Sequence, residues 1–91
     1  MGAVVAITLK LMPVSPTVDL NKIKQSAEKK LKEIGGILNK IEEEPIAFGL
    51  KAIVIILAWP EDKDSEILEK ELGKIKDVNS VEITDVRRAI G

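Results

Sequence analysis

The chain has 91 residues, of which 45% are hydrophobic and 32% charged, and 14 basic and 15 acidic side chains give a net charge of −1. This length allows one small core and predicts a single domain over residues 1–91. The balanced charge excludes a global basic field of the kind that binds nucleic acid without sequence preference.

The first predicted elements are a strand and a helix, separated by a connection that contains two prolines. Residues 3–12 alternate between large apolar side chains and smaller or polar ones, as in a strand with one deeply buried side. Asp19 is the predicted N-cap of a helix from about Leu20 to Glu33, and Gly35 and Gly36 end it. The apolar stripe of this helix consists of Leu20, Ile23, Ala27, Leu31 and Ile34.

Two more strands and a short turn form the middle of the chain. Ile37–Glu44 is interrupted by charged residues, as is typical of an edge strand. Leu50–Trp59 contains four consecutive β-branched residues and has apolar side chains on both parities, which predicts a central strand covered on both faces. Pro45–Gly49 is the predicted hairpin loop between these strands.

The last third of the chain predicts a second helix and a fourth strand. Asp64 can cap a helix from Ser65 to Lys76, and Val78–Val86 is the last strand, followed by a tail at 87–91. The residues predicted to face inward on this helix are Ile67, Leu68, Leu72 and Ile75.

The element order βαββαβ predicts an α+β fold of the ferredoxin-like class. Its four-stranded antiparallel sheet would carry both helices on one face, with the first and third strands in the middle. The apolar side chains of the central strand that point away from the helices would then lie on the open face of the sheet, where a partner, a second copy of the chain or a ligand could bind.

Motifs for catalysis or metal binding are absent from the sequence. It contains no Cys or His, no phosphate loop, and no motif around its serines. Glu42, Glu43 and Glu44 alternate across a strand, so at most two carboxylates can converge on a cation. We therefore predict no enzymatic activity, no cofactor and no bound metal.

Nucleic acid and membranes are also unexpected partners. The two inner strands carry a single aromatic residue, Trp59, whereas RNA-binding sheets present several aromatic platforms. The lysines of the first helix lie mostly off its apolar stripe, as in a solvated face, and a contact with tRNA or an acidic partner is the alternative. The longest apolar run is about ten residues, roughly half of what a membrane-spanning helix needs. We expect a soluble monomer in the cytoplasm.

Phe48, the single Phe of the chain, lies in the predicted hairpin loop between Ala47 and Gly49. An aromatic residue there can project as an anchor for an interface, or it can fold back onto the end of the sheet. The residues alone leave both interpretations open.

The sequence PIAFGLK at 45–51, followed by a long apolar strand and a chain end reading TDVRR, resembles the archaeal elongation factor 1-beta family. These proteins are the nucleotide exchange factors of the GTPase that carries aminoacyl-tRNA. MPVSPTVDL in the first connection also fits this family. The resemblance implies a factor that releases GDP without any bond chemistry.

The resemblance also implies which residues bind the GTPase, elongation factor 1-alpha. The hairpin aromatic of the family inserts into a pocket of the GTPase, a role that falls on Phe48. Eukaryotic relatives have a Lys as their next-to-last residue, which reaches the magnesium site, whereas this chain has Ile90 there. Arg87 and Arg88 can supply the same charge. The Arg guanidinium is, however, a broad planar group, whereas the Lys ammonium is a compact charge. The implied partner-binding residues are Pro45, Ile46, Ala47, Phe48, Gly49, Leu50, Lys51, Arg87 and Arg88.

Two other classes of protein share the predicted fold. One is a regulatory domain that binds a ligand or dimerises through its open sheet face, although such domains are usually attached to an enzyme. The other is a small acyl-phosphate hydrolase, which needs an Arg in a Gly-rich loop after the first strand, where this chain has MPVSP.

Overall fold

A computed structural model describes residues 3–88 and shows the predicted element order βαββαβ. The strands are β1 (Val4–Pro13), β2 (Ile37–Pro45), β3 (Lys51–Pro60) and β4 (Val78–Arg88), and the helices are α1 (Leu20–Ile34) and α2 (Glu66–Leu72). Neighbouring strands are antiparallel, in the order β2-β3-β1-β4. The ferredoxin-like class and the central position of β1 and β3 are therefore confirmed.

The hydrophobic core lies between one face of the sheet and the two helices. Ile7 lies opposite Leu57 and Leu9 opposite Ile55 in the β1–β3 ladder, and all four side chains are buried. Fully burying an aliphatic side chain of this size stabilises the folded state by roughly 1.5–3 kcal/mol. The helices add Ile23, Ala27 and Leu31 from α1, and Leu68 and Leu72 from α2.

Both ends of α1 are capped as the sequence predicts. Asp19 Oδ1 accepts the Asn21 N–H at 3.0 Å, which satisfies one of the free donors of the first turn. Gly35 ends the helix with φ 91°, a left-handed conformation that glycine adopts without steric cost. Lys63 Nζ donates to the Ile34 carbonyl at 2.7 Å and places its positive charge at the negative end of the helix dipole.

The second helix is shorter than predicted and faces the core with fewer residues. It ends at Leu72, and residues 73–77 continue as turns instead of the predicted helix to Lys76. The backbone bonding tightens there, because the Lys74 and Ile75 N–H groups donate to the carbonyls three residues earlier rather than four. Ile75 is still buried from this segment. Ile67 is 36% exposed, which corrects the inward position predicted for it, since a seven-residue helix turns one narrow face to the core.

The last strand is longer than predicted. Arg87 and Arg88 were expected in a tail, but they pair with Ala6 and Val5 in the β1–β4 ladder and belong to β4. The reason is that β1 begins at Val4 and therefore offers partners to two more residues. Residues 89–91, which include the departure from the eukaryotic pattern at Ile90, lie outside the described residues.

The sheet face opposite the helices is open, as predicted. Val54, Ile56 and Ala58 are partly exposed there, whereas Ala52 is buried. The Lys10–Glu44 ion pair (3.1 Å) joins β1 to β2 across β3 and covers part of the intervening strand. Within residues 3–88, no helix combines the length and the apolar character needed to cross a membrane.

Candidate partner-binding site

The loop between β2 and β3 is a closed turn, which we call the tip (residues 46–50). Pro45 and Lys51 form the last pair of the β2–β3 ladder. Beyond this pair, the Ile46 N–H donates to the Leu50 carbonyl at 2.8 Å, and the Leu50 N–H donates to the Ala47 carbonyl at 3.2 Å. These two bonds fix the backbone of the tip as a continuation of the hairpin.

Phe48 occupies a backbone conformation that opposes its side chain. Its φ is 61° and that of Gly49 is 77°, so both central residues of the turn have positive φ, as in type I′ hairpins. The left-handed conformation costs a residue with a Cβ roughly 1–2 kcal/mol. The Phe48 side chain is nevertheless 94% exposed and recovers almost none of this cost by packing. The combination of a strained backbone and an exposed ring motivates the hypothesis that Phe48 binds a partner.

Of the two interpretations of Phe48, the structure shows the projecting ring rather than the ring folded back onto the sheet. Ile46 is 42% exposed beside it. The tip is thus an apolar surface on a hydrogen-bonded turn. Exposed aromatic residues on rigid supports are suited to bind a protein partner because the backbone that carries them is already ordered before binding.

The acidic run behind the tip divides between the two faces of the sheet. Glu43 lies 2.6 Å from Lys24 of α1 and 3.9 Å from Lys51. The hydrogen bond from Lys24 lowers the pKa of Glu43 from its usual 4.5, against the opposing effect of desolvation. Glu44 pairs with Lys10 on the open face instead. In the part of the chain that the structure describes, no three potential ligands converge in a way that could hold a metal ion.

The arginine end is the pair Arg87 and Arg88 on the last two residues of β4. Arg87 Nε lies 2.8 Å from Asp85 Oδ2, and Arg88 forms an ion pair with Glu61. All four side chains lie at the surface. Exposed ion pairs contribute about 0–1 kcal/mol. Both arginines can therefore exchange their carboxylates for a partner's groups at little cost.

The tip and the arginine end lie at opposite ends of the sheet. β3 begins at Lys51, next to the tip, and ends at Pro60, which pairs with Val4. Arg88 pairs with Val5, the next residue of β1. Ten residues of antiparallel strand span about 30 Å. The structure therefore brings residues 45–51 together but separates them from the arginines.

One neighbour of the tip was not included among the predicted site residues. A Cβ placed on Gly49 would lie 3.9 Å from Pro16 Cβ, so the connection after β1 lies beside the hairpin. The predicted sheet contained the signal for this proximity, because the end of β1 and the start of β3 meet at one edge of an antiparallel pair.

Comparison with known proteins assigns this α+β domain with a projecting hairpin to a class of nucleotide exchange domains. The model of the EF-1 guanine nucleotide exchange domain matches residues 6–89. The chain is 46% identical to elongation factor 1-beta of Methanothermobacter thermautotrophicus, over 97% of the chain and 98% of that protein. It is 47% identical to elongation factor 1-beta of Methanobrevibacter smithii over the same shares, and 35% identical to that of Halobacterium salinarum over 92% of the chain and 96% of the relative.

The chain belongs to the elongation factor 1-beta family of guanine nucleotide exchange domains. Guanine nucleotide exchange in translation elongation is the function that this membership supports. The resemblance found in the sequence, from the hairpin motif to the TDVRR segment, is confirmed over nearly the whole chain.

Proposed function

We propose that this protein promotes GDP release from elongation factor 1-alpha, the GTPase that carries aminoacyl-tRNA, by binding its nucleotide-free form through Phe48. The observation that carries the proposal is the nearly complete exposure of this ring on a turn whose backbone disfavours it. Membership in the exchange-domain family supports the choice of partner. The protein makes and breaks no covalent bond in this role.

An exchange factor accelerates release by binding one state of the GTPase more tightly than another. If the pocket for Phe48 is available only when the nucleotide is loosened or lost, the contact lowers the free energy of that state alone. Fully burying a Phe side chain in a pocket is worth roughly 1.5–3 kcal/mol. Each 1.4 kcal/mol is a factor of ten in the equilibrium, so this energy is enough for a tenfold effect.

The tip is preorganised for this contact. Ile46, Ala47 and Leu50 hold the turn by backbone hydrogen bonds, and Pro45 and Lys51 anchor it to the sheet. The backbone of the tip therefore loses little conformational freedom on binding, which leaves more of the interaction energy for affinity. In this proposal, Gly49 provides the positive φ that completes the turn.

The arginines make a second, separate contact in this proposal. Because the tip and the arginine end are about 30 Å apart along β3, the GTPase must be contacted over most of the length of the domain. Arg87 and Arg88 would exchange Asp85 and Glu61 for acidic groups of the GTPase or for the phosphate side of its nucleotide site. This contact is electrostatic and therefore sensitive to salt.

The test is Phe48→Ala, measured by release of fluorescent GDP from elongation factor 1-alpha and by thermal unfolding of the same preparation. We expect exchange to fall at least tenfold, since a hot-spot aromatic is worth about 2 kcal/mol or more. The melting temperature should hardly change because the ring covers almost no core. Ile67→Ala is the control: it truncates an exposed apolar side chain of α2, in the helix layer.

Two results would contradict the proposal. A Phe48→Ala protein that is less stable but exchanges normally per folded molecule would assign the ring to the fold. Normal exchange with normal stability would remove Phe48 from the mechanism. It would then favour the alternative class, a domain that binds a ligand or a second copy through its open face.

A further inference from the structure

The tip end of the sheet carries three exposed apolar side chains. Among residues 3–88, seven large hydrophobic side chains are exposed: Val14, Ile46 and Phe48 lie at this end, Val4, Ile37 and Val86 lie towards the opposite end, and Ile67 lies on α2. Single exposed apolar residues are normal on a protein surface, whereas a contiguous group marks a binding surface. Val14 belongs to the β1–α1 loop (residues 14–19), which lies far from the hairpin in sequence.

The β1–α1 loop lies against the tip. β1 and β3 are neighbours in the sheet, and Leu11 and Ile53 form the last pair of their ladder. Val14 follows the end of β1 and the tip precedes the start of β3, so both lie at this end of the sheet. The Cβ position of Gly49 lies 3.9 Å from Pro16 Cβ, an ordinary van der Waals separation. The fixed φ of Pro16 makes this support stiff. Apolar surface therefore continues from the hairpin into the loop.

The exposed side chain of Val14 is carried by an anchored backbone. The Val14 N–H donates to the Asp77 carbonyl at 2.9 Å, which ties the start of the loop to the residue before β4. Ser15 Oγ and Thr17 Oγ1 lie 3.0 Å apart and satisfy each other. Val14 is 55% exposed despite this order, so its aliphatic surface is available to a partner at a small entropic cost.

We propose that the GTPase-binding surface extends from the tip into the β1–α1 loop, with Val14 as a second apolar contact and Pro16 as the support of the turn. This inference rests on the proposed function and adds a specific part of the footprint to it. Hot-spot residues are surrounded by contacts that exclude water from them. Val14 and Ile46 would have this role beside Phe48. The partner surface that fits is an apolar pocket for the ring with an aliphatic rim.

The test uses Val14→Asp and Val14→Thr in the full chain, with GDP release from elongation factor 1-alpha measured as a function of the concentration of the factor. Val14→Asp places a charge in an apolar contact, and we expect the half-saturating concentration to rise at least tenfold. Val14→Thr keeps the shape and β-branching and should raise it about threefold. The matched control is Val86→Thr, at a Val that is 53% exposed on β4.

The outcomes separate this inference from the proposed function. If both Val14 variants exchange like the parent while Phe48→Ala is slow, the extension of the surface is wrong and the role of the tip stands. If all three variants exchange like the parent, both proposals are overturned. If Val14→Asp does not fold, the half-saturating concentration of Val14→Thr decides, because this substitution preserves the local packing. A rise for Val14→Thr but not for Val86→Thr supports the inference.

Discussion

Phe48→Asn separates the two demands that act on the hairpin tip. Asn is one of the few residues that adopts the left-handed conformation readily, and Asn followed by Gly is the preferred sequence of a type I′ turn. The substitution therefore keeps the backbone of the turn, relieves its strain and removes the aromatic ring. We expect a protein that is more stable than the parent and poor in nucleotide exchange.

The expected gain in stability follows from the exposure of the ring. Phe48 is 94% exposed, so its loss uncovers about 10–15 Å² of apolar contact, or ~0.3 kcal/mol. Relief of the left-handed strain contributes roughly 1–2 kcal/mol in the opposite direction. The free energy of unfolding should rise by about 1 kcal/mol, which raises the melting temperature of a domain of this size by about 4–8 °C.

Thermal or urea unfolding and GDP release on the same preparation test this prediction. Exchange should fall at least as far as in Phe48→Ala, because the Asn side chain cannot fill an apolar pocket without leaving its amide unpaired. A drop of several degrees in melting temperature would refute the reasoning, since it would show that the ring stabilises the fold. Parent-like exchange would equally refute it.

Two further predictions concern charged groups. Replacing both Arg87 and Arg88 by Ala should slow exchange and weaken its salt dependence. The melting temperature should change by only a few degrees, since exposed ion pairs contribute about 0–1 kcal/mol. Loss of folding would instead show that these side chains are needed for the fold. The second prediction concerns Glu43, whose pKa is lowered chiefly by its hydrogen bond to Lys24. The ionised carboxylate therefore stabilises the folded state above pH 4.5, and this stabilisation is lost as the pH falls through the folded-state pKa. Urea unfolding at pH 6 and pH 3 should therefore show a smaller acid loss for Lys24→Met than for the parent, and an equal loss would count against the pair.

The topology could be predicted because several independent sequence signals agree. Asp19 and Gly35 mark the ends of α1, and the helix between them carries a regular apolar stripe. The apolar residues of β3 on both parities require a central position, which the strand order confirms. Right-handed crossovers then leave few ways to connect the elements.

The errors arose where the sequence signals are local and weak. Gly73 lies inside the predicted second helix, but helix propensity does not say whether a helix continues or ends at such a residue. Arg87 and Arg88 were placed in a tail because their side chains give no apolar alternation. Their membership in β4 depends on backbone partners from β1, which are about 80 residues distant in sequence.

The candidate site shows the same division. The sequence identifies Phe48 as unusual and the family motif names its neighbours, but neither reveals the positive φ that makes the position costly. The proximity of Pro16 to Gly49 is likewise a tertiary fact, although the antiparallel topology would have allowed it. Violations of local rules of this kind are expected at functional positions.

In the proposed function, the separation of the tip from the arginine end makes a rigid core useful. If Phe48 and the arginines contact the same GTPase, binding of Phe48 makes the arginine contact intramolecular, and its effective concentration depends on how well the distance between the two ends is fixed. β3 fixes this distance because Ile53, Ile55 and Leu57 are buried and the strand is paired on both sides. A flexible connection of equal length would spread the arginines over a large volume and reduce the contribution of the second contact. The same buried core stabilises the fold enough to tolerate the unfavourable backbone conformation of Phe48 at the tip.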